Sequence, residues 1–284
     1  MARLTQLRHA KLYLVTDDAT PADRLPGLIS LAVAGGVDLV QLRRKHSDPA
    51  ELSGVARECL GAAHAGGALF IVDDHVALAA EIGADGVHLG QTDLDPAGAR
   101  SQLGWELLVG LSTHSKAQVV RAAGQPVDYI SAGPVHATPT KPGRAAVGLD
   151  HVSVAAARAT VPVVAIGGLG RGTVGEAVAA GADMVAVVRE ICQADEPGRV
   201  AAQLRQEVEA ASPWLRFRVN GQRRKCRAGS SIQDFLRLWE VPLDGVVVER
   251  NGEILRSSEL AAQLLTENDE LEVVHLVGGG SADG

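Results

Sequence analysis

Cysteine is scarce in this chain: Cys59, Cys192 and Cys226 lie far apart, are odd in number and form no C-x-x-C pair. That argues against a disulfide framework or a cysteine-built zinc site and fits a reducing compartment. Aromatic residues are few, at 3%, which does not suit an aromatic-rich β-sandwich. Positive charge is not in excess. The 27 Lys and Arg stand against 34 Asp and Glu, a net charge of −7, so a general nucleic-acid surface is not expected. No apolar run reaches the roughly 18 residues needed to span a bilayer, so no membrane association is expected. The N-terminal MARLTQLRHAKLYLVTDD has no long apolar segment ahead of its first strand-like run. The expectation is a soluble, cytoplasmic protein.

Glycine and small aliphatic residues are abundant: 32 of the 284 residues are Gly, and 46% are hydrophobic. This length suffices for one α/β domain of roughly 200 to 250 residues and a small second one. Short apolar runs recur at even intervals: Lys11 to Thr16, Val37 to Leu42, Ala68 to Val72, Gly86 to Leu89, Leu107 to Leu111, Val127 to Ser131, Val161 to Ile166 and Met184 to Val188. Most are continuously apolar, as parallel strands buried on both faces are. Helical patterns separate them, among them Arg24 to Ala34, ending at Gly35-Gly36, and Pro49 to Ala65. Eight such units predict a (β/α)8 TIM barrel. A doubly wound open sheet is the alternative, but no G-x-G-x-x-G follows the first strand.

After Trp214 the pattern changes. Leu215 to Arg227 alternates around an Asn220-Gly221 turn, and a helix follows from Ser231 to Trp239 with Ser230 or Ser231 as its cap. A strand at Gly245 to Glu249, a turn at Asn251-Gly252 and a last strand at Leu271 to Leu276 complete a small α+β domain of β-grasp type. The chain ends VGGGSADG. The division falls at Ser212-Pro213, giving domains 1–212 and 213–284.

A TIM barrel builds its active site from the loops at the C-terminal strand ends. Those ends carry Gln41, Arg43, Arg44 and Lys45; Asp73 and Asp74; His88 and Asp93; Ser112, Thr113 and His114; Thr138, Thr140 and Lys141; Gly167, Gly168 and Gly170; and Arg189. Asp74 and Asp93 are suited to one Mg²⁺, a hard cation that takes carboxylate, water and phosphate oxygens. Arg43, Lys45 and Lys141 are suited to neutralising a diphosphate, and the Gly-rich turn opening a helix to taking a second phosphate. Each residue alone has an ordinary structural use: a strand-end Asp is often a helix N-cap, the reading adopted for Asp95, and a lone histidine is more often structural than catalytic. Together they point to two phosphorylated ligands, one with Mg²⁺.

Lys11 to about Ala210 resembles the thiamine phosphate synthases. The resemblance rests on QLRRK (Gln41 to Lys45), DGVHLGQTD (Asp85 to Asp93), GLSTHS (Gly110 to Ser115), GPVHATPTKPG (Gly133 to Gly143) and AIGGL (Ala165 to Leu169). It implies condensation of a hydroxymethylpyrimidine diphosphate with a thiazole phosphate, releasing pyrophosphate, through a pyrimidinyl cation captured by the thiazole nitrogen. It also implies Gln41, Arg43, Lys45, Ser112 and Lys141 on the pyrimidine diphosphate, with Arg43, Lys45 and Lys141 as catalytic groups. It places Mg²⁺ on Asp74 and Asp93, and the thiazole phosphate on Thr138, Thr140 and Gly168. Leu42, Arg44, Asp73, Pro139, Val188 and Arg189 complete the implied substrate contacts. Two positions depart from the family pattern: Asp73, where Asn is usual, and Arg189, where Ser is usual.

The C-terminal part resembles the ubiquitin-like sulfur carrier of thiazole biosynthesis, through FRVNG (Phe217 to Gly221), VVERNGEIL (Val247 to Leu255) and NDELEVVHLVGGG (Asn268 to Gly280). That resemblance implies a functional tail at Gly279 and Gly280, with an adenylating enzyme and a thiazole synthase as partners. Ser281 to Gly284 follow, so a free carboxylate on Gly280 would need trimming; the alternatives are that Gly284 is the functional end or that the domain is inactive as a carrier. Two other readings stand beside the bifunctional one: a thiazole tautomerase-like barrel, in which His114 would matter most, and a non-catalytic barrel presenting a carrier.

Overall fold

The computed structural model describes residues 2–45, 49–138, 145–211 and 214–275. The chain divides into two compact units, residues 1–212 and 213–284.

In the first unit, strands β1 (Leu12–Val15), β2 (Leu39–Leu42), β3 (Leu69–Asp73), β4 (Gly86–Leu89), β5 (Leu108–Thr113), β6 (Tyr129–Ala132), β7 (Val163–Ile166) and β8 (Met184–Val187) pair in parallel, each with the next. β8 pairs with β1 and closes the barrel. The helices are α1 (Ala2–His9), α2 (Leu25–Ala34), α3 (Pro49–Ala65), α4 (Val76–Ile82), α5 (Pro96–Leu103), α6 (Lys116–Ala122), α7 (Gly148–Arg158), α8 (Val174–Ala179), α9 (Arg189–Cys192) and α10 (Pro197–Ala210). No helix among the described residues is long and apolar enough to cross a membrane.

The eight expected strands are present with shifted ends. β5 runs on through Ser112 and Thr113, because Thr113 Oγ1 donates to Ser131 O at 2.9 Å and both residues keep their ladder partners in β6. β7 starts after Pro162, which has no N–H for a ladder. Helix α1 has no counterpart in the sequence reading. Leu7, with Leu4 beside it, packs onto Leu39, Leu69, Leu108 and Met184, the first residues of four strands. It therefore plugs the barrel end where strands begin and leaves the opposite end for ligands.

A device repeated four times fixes the strand starts. Asp38, Asp85, Asp128 and Asp183 each immediately precede an even-numbered strand. Each carboxylate accepts from a backbone N–H near the start of the preceding strand: Leu12 (3.0 Å), Phe70 (2.8 Å), Val109 (2.7 Å) and Val163 (2.9 Å). Three are themselves held by cations: Asp38 by Arg205, Asp85 by Arg3, and Asp128 by Arg100.

The second unit is a five-stranded sheet, ordered β10-β9-β13-β11-β12, with one helix. Its elements are β9 (Trp214–Val219), β10 (Gln222–Arg227), α11 (Ile232–Leu238), β11 (Val246–Arg250), β12 (Glu253–Leu255) and β13 (Glu270–His275). The parallel β9–β13 pair lies between two antiparallel hairpins, a β-grasp arrangement. β12 is additional to the expected strands. Of the two candidate caps for α11, Ser231 is used, in a capping box with Asp234. The core gathers Phe217, Ile232, Phe235, Leu236, Val248 and Leu271.

Buried Asp269 ties this unit together. Burial opposes its charge, but the Thr266 N–H (2.8 Å), Arg250 and Asn251 (2.9 Å) hold its carboxyl below the usual carboxylate range. A depressed carboxyl contributes stability above its unfolded pKa and loses it as pH falls through the folded value. Acidification below about pH 4 should therefore loosen this unit, and Asp269→Asn should flatten that dependence, as followed by residue-resolved NMR of β13.

Candidate active site

Alternation along the strands decides which side chains face the barrel interior. Tyr13, Gln41, Asp73, His88, Ser112 and Ser131 face inward near the open end and line an inner pocket with Arg43, His114, Thr138 and Gly167. Leu42, one residue past Gln41, is buried on the other face of β2, so a ligand can meet only its backbone.

A buried polar layer floors this pocket. Gln41 Nε2 donates to Tyr13 Oη at 3.0 Å, Tyr13 Oη lies 3.0 Å from Tyr129 Oη, and Tyr129 Oη lies 3.1 Å from His88 Nδ1. His88 Nε2 lies 3.0 Å from Ser112 Oγ. Burial pushes both tyrosine hydroxyls well above the ordinary phenol range, so both keep their protons at neutral pH. One direction of donation satisfies the row: Tyr13 to Tyr129, Tyr129 to His88 Nδ1, and His88 Nε2–H to Ser112. It leaves the Ser112 O–H to donate into the pocket. Gly110 makes room for the row: a Cβ there would fall on the Tyr129 ring and 2.6 Å from His88 Nδ1. Gly110→Ala should cost about 1–3 kcal/mol, the range for overpacking, as measured by urea unfolding.

At the rim, charges alternate. Arg43 Nη1 is 3.2 Å from Asp18, Arg43 Nε is 3.7 Å from Asp73, and Lys45 Nζ is 3.2 Å from Asp73 and in direct contact with Asp74. Asp18 also accepts from the Lys45 backbone N–H at 2.9 Å, which sets the loop after β2. Arg43 Nε is buried without a hydrogen-bond partner, a donor left for a ligand. Arg44 Nη1 donates to Thr20 O at 2.7 Å.

An outer pocket of about 390 Å³, within the range of ligand sites, shares Thr138 and Ala186 with the inner one. Gly168, Gly170, Arg171, Val188, Arg189 and Glu190 line it. Gly168 has φ +67°, and a Cβ there would come 2.7 Å from His136 Cβ, so glycine alone fits. Exposed Arg189 opens α9 here, and Arg171 pairs with Glu190 at 2.5 Å.

The structure thus gathers Gln41, Arg43, Asp73, Ser112, Thr138, Gly168, Val188 and Arg189 around two adjoining pockets, with Lys45 and Asp74 at the rim. Asp93 folds back instead: its Oδ2 accepts from Gly90 N at 2.7 Å. Pro139, Thr140, Lys141, Gly279 and Gly280 lie outside the described residues. Asp95 is an N-cap, accepting from Gly98 N at 2.8 Å. The sequence reading missed Tyr13, Tyr129, Ser131, Asp18 and Arg171. The signal available for the tyrosines was that the chain has two, both in barrel strands.

Among the described residues, no group of three or more His, Cys, Asp or Glu is placed to hold a metal ion. The described donors do not form a protein-caged zinc site. They fit Mg²⁺, which takes one or two carboxylates and completes its shell with water and phosphate. The cysteines offer no nucleophile: burial pushes the Cys59 and Cys192 thiols up to about 12, and that of Cys226 to about 11.

Comparison with known proteins agrees with this geometry. The family model described as thiamine monophosphate synthase matches residues 12–191, and the ThiS family model matches residues 217–280. The thiamine-phosphate synthase of Thermosynechococcus vestitus is 44% identical over 212 residues, covering 75% of this chain and 60% of that protein. The chain spans 57–60% of the length of that relative and of four others bearing the same name. The thiamine-phosphate synthase of Arthrobacter sp. (strain FB24) is 40% identical over 237 residues, covering 75% of this chain and all of that protein. Among solved structures, a thiamine phosphate pyrophosphorylase from Pyrococcus furiosus superposes with a TM-score of 0.65 at 28% identity, covering 73% of this chain and 98% of that one. With its barrel matched from β1 to the second pocket, the chain belongs to the thiamine monophosphate synthase family.

Proposed function

We propose that the barrel joins a hydroxymethylpyrimidine diphosphate to a thiazole phosphate, yielding thiamine phosphate and pyrophosphate. One observation carries this reading: two anion-suited pockets meet at Thr138, so two phosphorylated substrates can lie with their reacting atoms adjacent. The pyrimidine occupies the inner pocket, oriented by Gln41 and the Ser112 hydroxyl, with its diphosphate at Arg43 and Lys45. The thiazole phosphate takes the outer pocket, at Thr138, the Gly168 turn and Arg189. The bond from the pyrimidine methylene to the diphosphate oxygen breaks with its electron pair leaving on oxygen, and the thiazole nitrogen supplies the pair for the new C–N bond. Arg43 and Lys45 stabilise charge that grows on the departing oxygens, which is where differential transition-state binding acts. Mg²⁺ on Asp74 and Asp93 would supply further neutralisation of the diphosphate. Arg43 and Lys45 at the rim favour this reading over a tautomerase, which has no diphosphate to hold.

The second unit is proposed to be a sulfur carrier working through a tail trimmed after Gly280, with an adenylating enzyme and a thiazole synthase as its partners. Intact mass of protein from its own host tests this: an end at Gly280 as a thiocarboxylate supports it, and an unmodified full-length chain under thiamine starvation contradicts it. The barrel is tested by pyrophosphate release. Release should require both substrates and Mg²⁺, and Asp74→Ala should abolish it; release with either substrate alone would count against the reading.

A further inference from the structure

We infer that Asp73 and Lys45 impose an order on this site: the divalent cation enters first and the diphosphate second. The inference rests on the barrel handling a diphosphate.

The rim row Asp18–Arg43–Asp73–Lys45–Asp74 contains three carboxylates and two cations. Among the described residues, both cations of this row are already in contact with carboxylates. Among the described residues, a diphosphate arriving alone meets a row whose net charge is −1, with Asp73 among its nearest groups, and like charge at this range opposes binding. A divalent cation meets the reverse. Two adjacent carboxylates stand ready, with one ammonium between them as a stand-in ion.

The two partners differ in freedom. Asp73 is 9% exposed and fixed at the end of β3. Asp74 is held at φ +61°, its N–H donating to His88 O at 2.9 Å. The backbones that carry these carboxylates are thus fixed. The Lys45 side chain is 36% exposed, on a flexible four-carbon stem at a loop. Exchange therefore moves the lysine. The entering cation takes its place at Asp74, beside Asp73, and the released ammonium turns toward the diphosphate that follows. Asp73 acts here as a positioning residue, holding Lys45 in reserve and keeping metal-free diphosphate out.

The test uses the full-length protein, inorganic pyrophosphate as the diphosphate probe, and Mn²⁺ as the cation, with calorimetry for the anion and electron paramagnetic resonance for free Mn²⁺. In the wild-type protein, saturation with Mn²⁺ should tighten pyrophosphate binding by at least about tenfold. Asp73→Asn, which keeps the side-chain shape, should tighten metal-free pyrophosphate binding by about tenfold and shrink the Mn²⁺ effect. Lys45→Met should tighten Mn²⁺ binding, because the competing ammonium is gone, and weaken pyrophosphate binding. The ordering is overturned if metal-free wild type binds pyrophosphate as tightly as the Mn²⁺ form, if Asp73→Asn changes neither affinity, or if Lys45→Met leaves Mn²⁺ affinity unchanged. Failure of wild type to bind pyrophosphate in either state overturns the diphosphate reading itself, and the ordering with it.

Discussion

Arg43→Ala should lower kcat/KM for pyrophosphate release by about 10²–10³-fold, the loss typical of removing one preorganised donor to developing negative charge. Three features put Arg43 at this level. Its side chain is 11% exposed, so its charge acts where water screens little. Asp18 on one side and Asp73 on the other fix its orientation before a ligand arrives. Its Nε has no hydrogen-bond partner in the folded protein, so a donor is present that the fold itself does not use. Arg43→Lys keeps the charge but loses the planar fork, and should fall between the wild type and the alanine variant. The fold should survive both changes, since Lys45 still faces Asp73. Steady-state kinetics beside circular dichroism would separate lost chemistry from lost structure. An Arg43→Ala enzyme within about threefold of wild type would remove this residue from the mechanism.

The largest effect on stability is expected from Asp128→Ala, at about 3 kcal/mol or more, because one partner of a buried ion pair is deleted and the other stays behind. Arg100 is 7% exposed and contacts the Asp128 carboxylate directly. Three backbone carbonyls, of Pro126, Gly104 and Leu107, also accept from it, so it cannot turn to water without breaking them. The change also strips the Val109 N–H of its acceptor at the start of β5. Asp183→Ala removes a similar backbone contact, to Val163, and should cost less than Asp128→Ala. Chemical denaturation of the two variants, compared at equal slope, checks the ranking.

Much of the barrel was legible because buried parallel strands are written as apolar runs of countable number, and a (β/α)8 barrel puts its chemistry at one end of them. That is why the sequence already places Gln41, Arg43, Ser112 and Gly168 at strand ends, where the structure has them lining the two pockets. The four aspartates preceding even strands show what was not legible. Each stands in plain view before a strand, yet the reach of its carboxylate to the neighbouring strand depends on closure, which no local pattern encodes. Helix α1 was missed for a related reason: Leu4 and Leu7 make a weak amphipathic signal, and their value comes from four strand starts brought together by the barrel. The Tyr13–Tyr129 contact joins residues 116 positions apart and is likewise a product of closure. Arg44 and Leu42 show what adjacency leaves open: beside Arg43 and Gln41 in sequence, one side chain meets the Thr20 carbonyl and the other lies buried on the opposite face of its strand.

The central claim is that one barrel site brings two phosphorylated substrates together and forms a carbon–nitrogen bond between them. Mass spectrometry of the product from the pyrimidine diphosphate and the thiazole phosphate measures this directly, alongside the pyrophosphate released. The account predicts one new species, carrying both heterocycles and a single phosphate, formed one-for-one with pyrophosphate. Hydrolysis of the diphosphate to the pyrimidine alcohol, with the thiazole phosphate recovered unchanged, would contradict it.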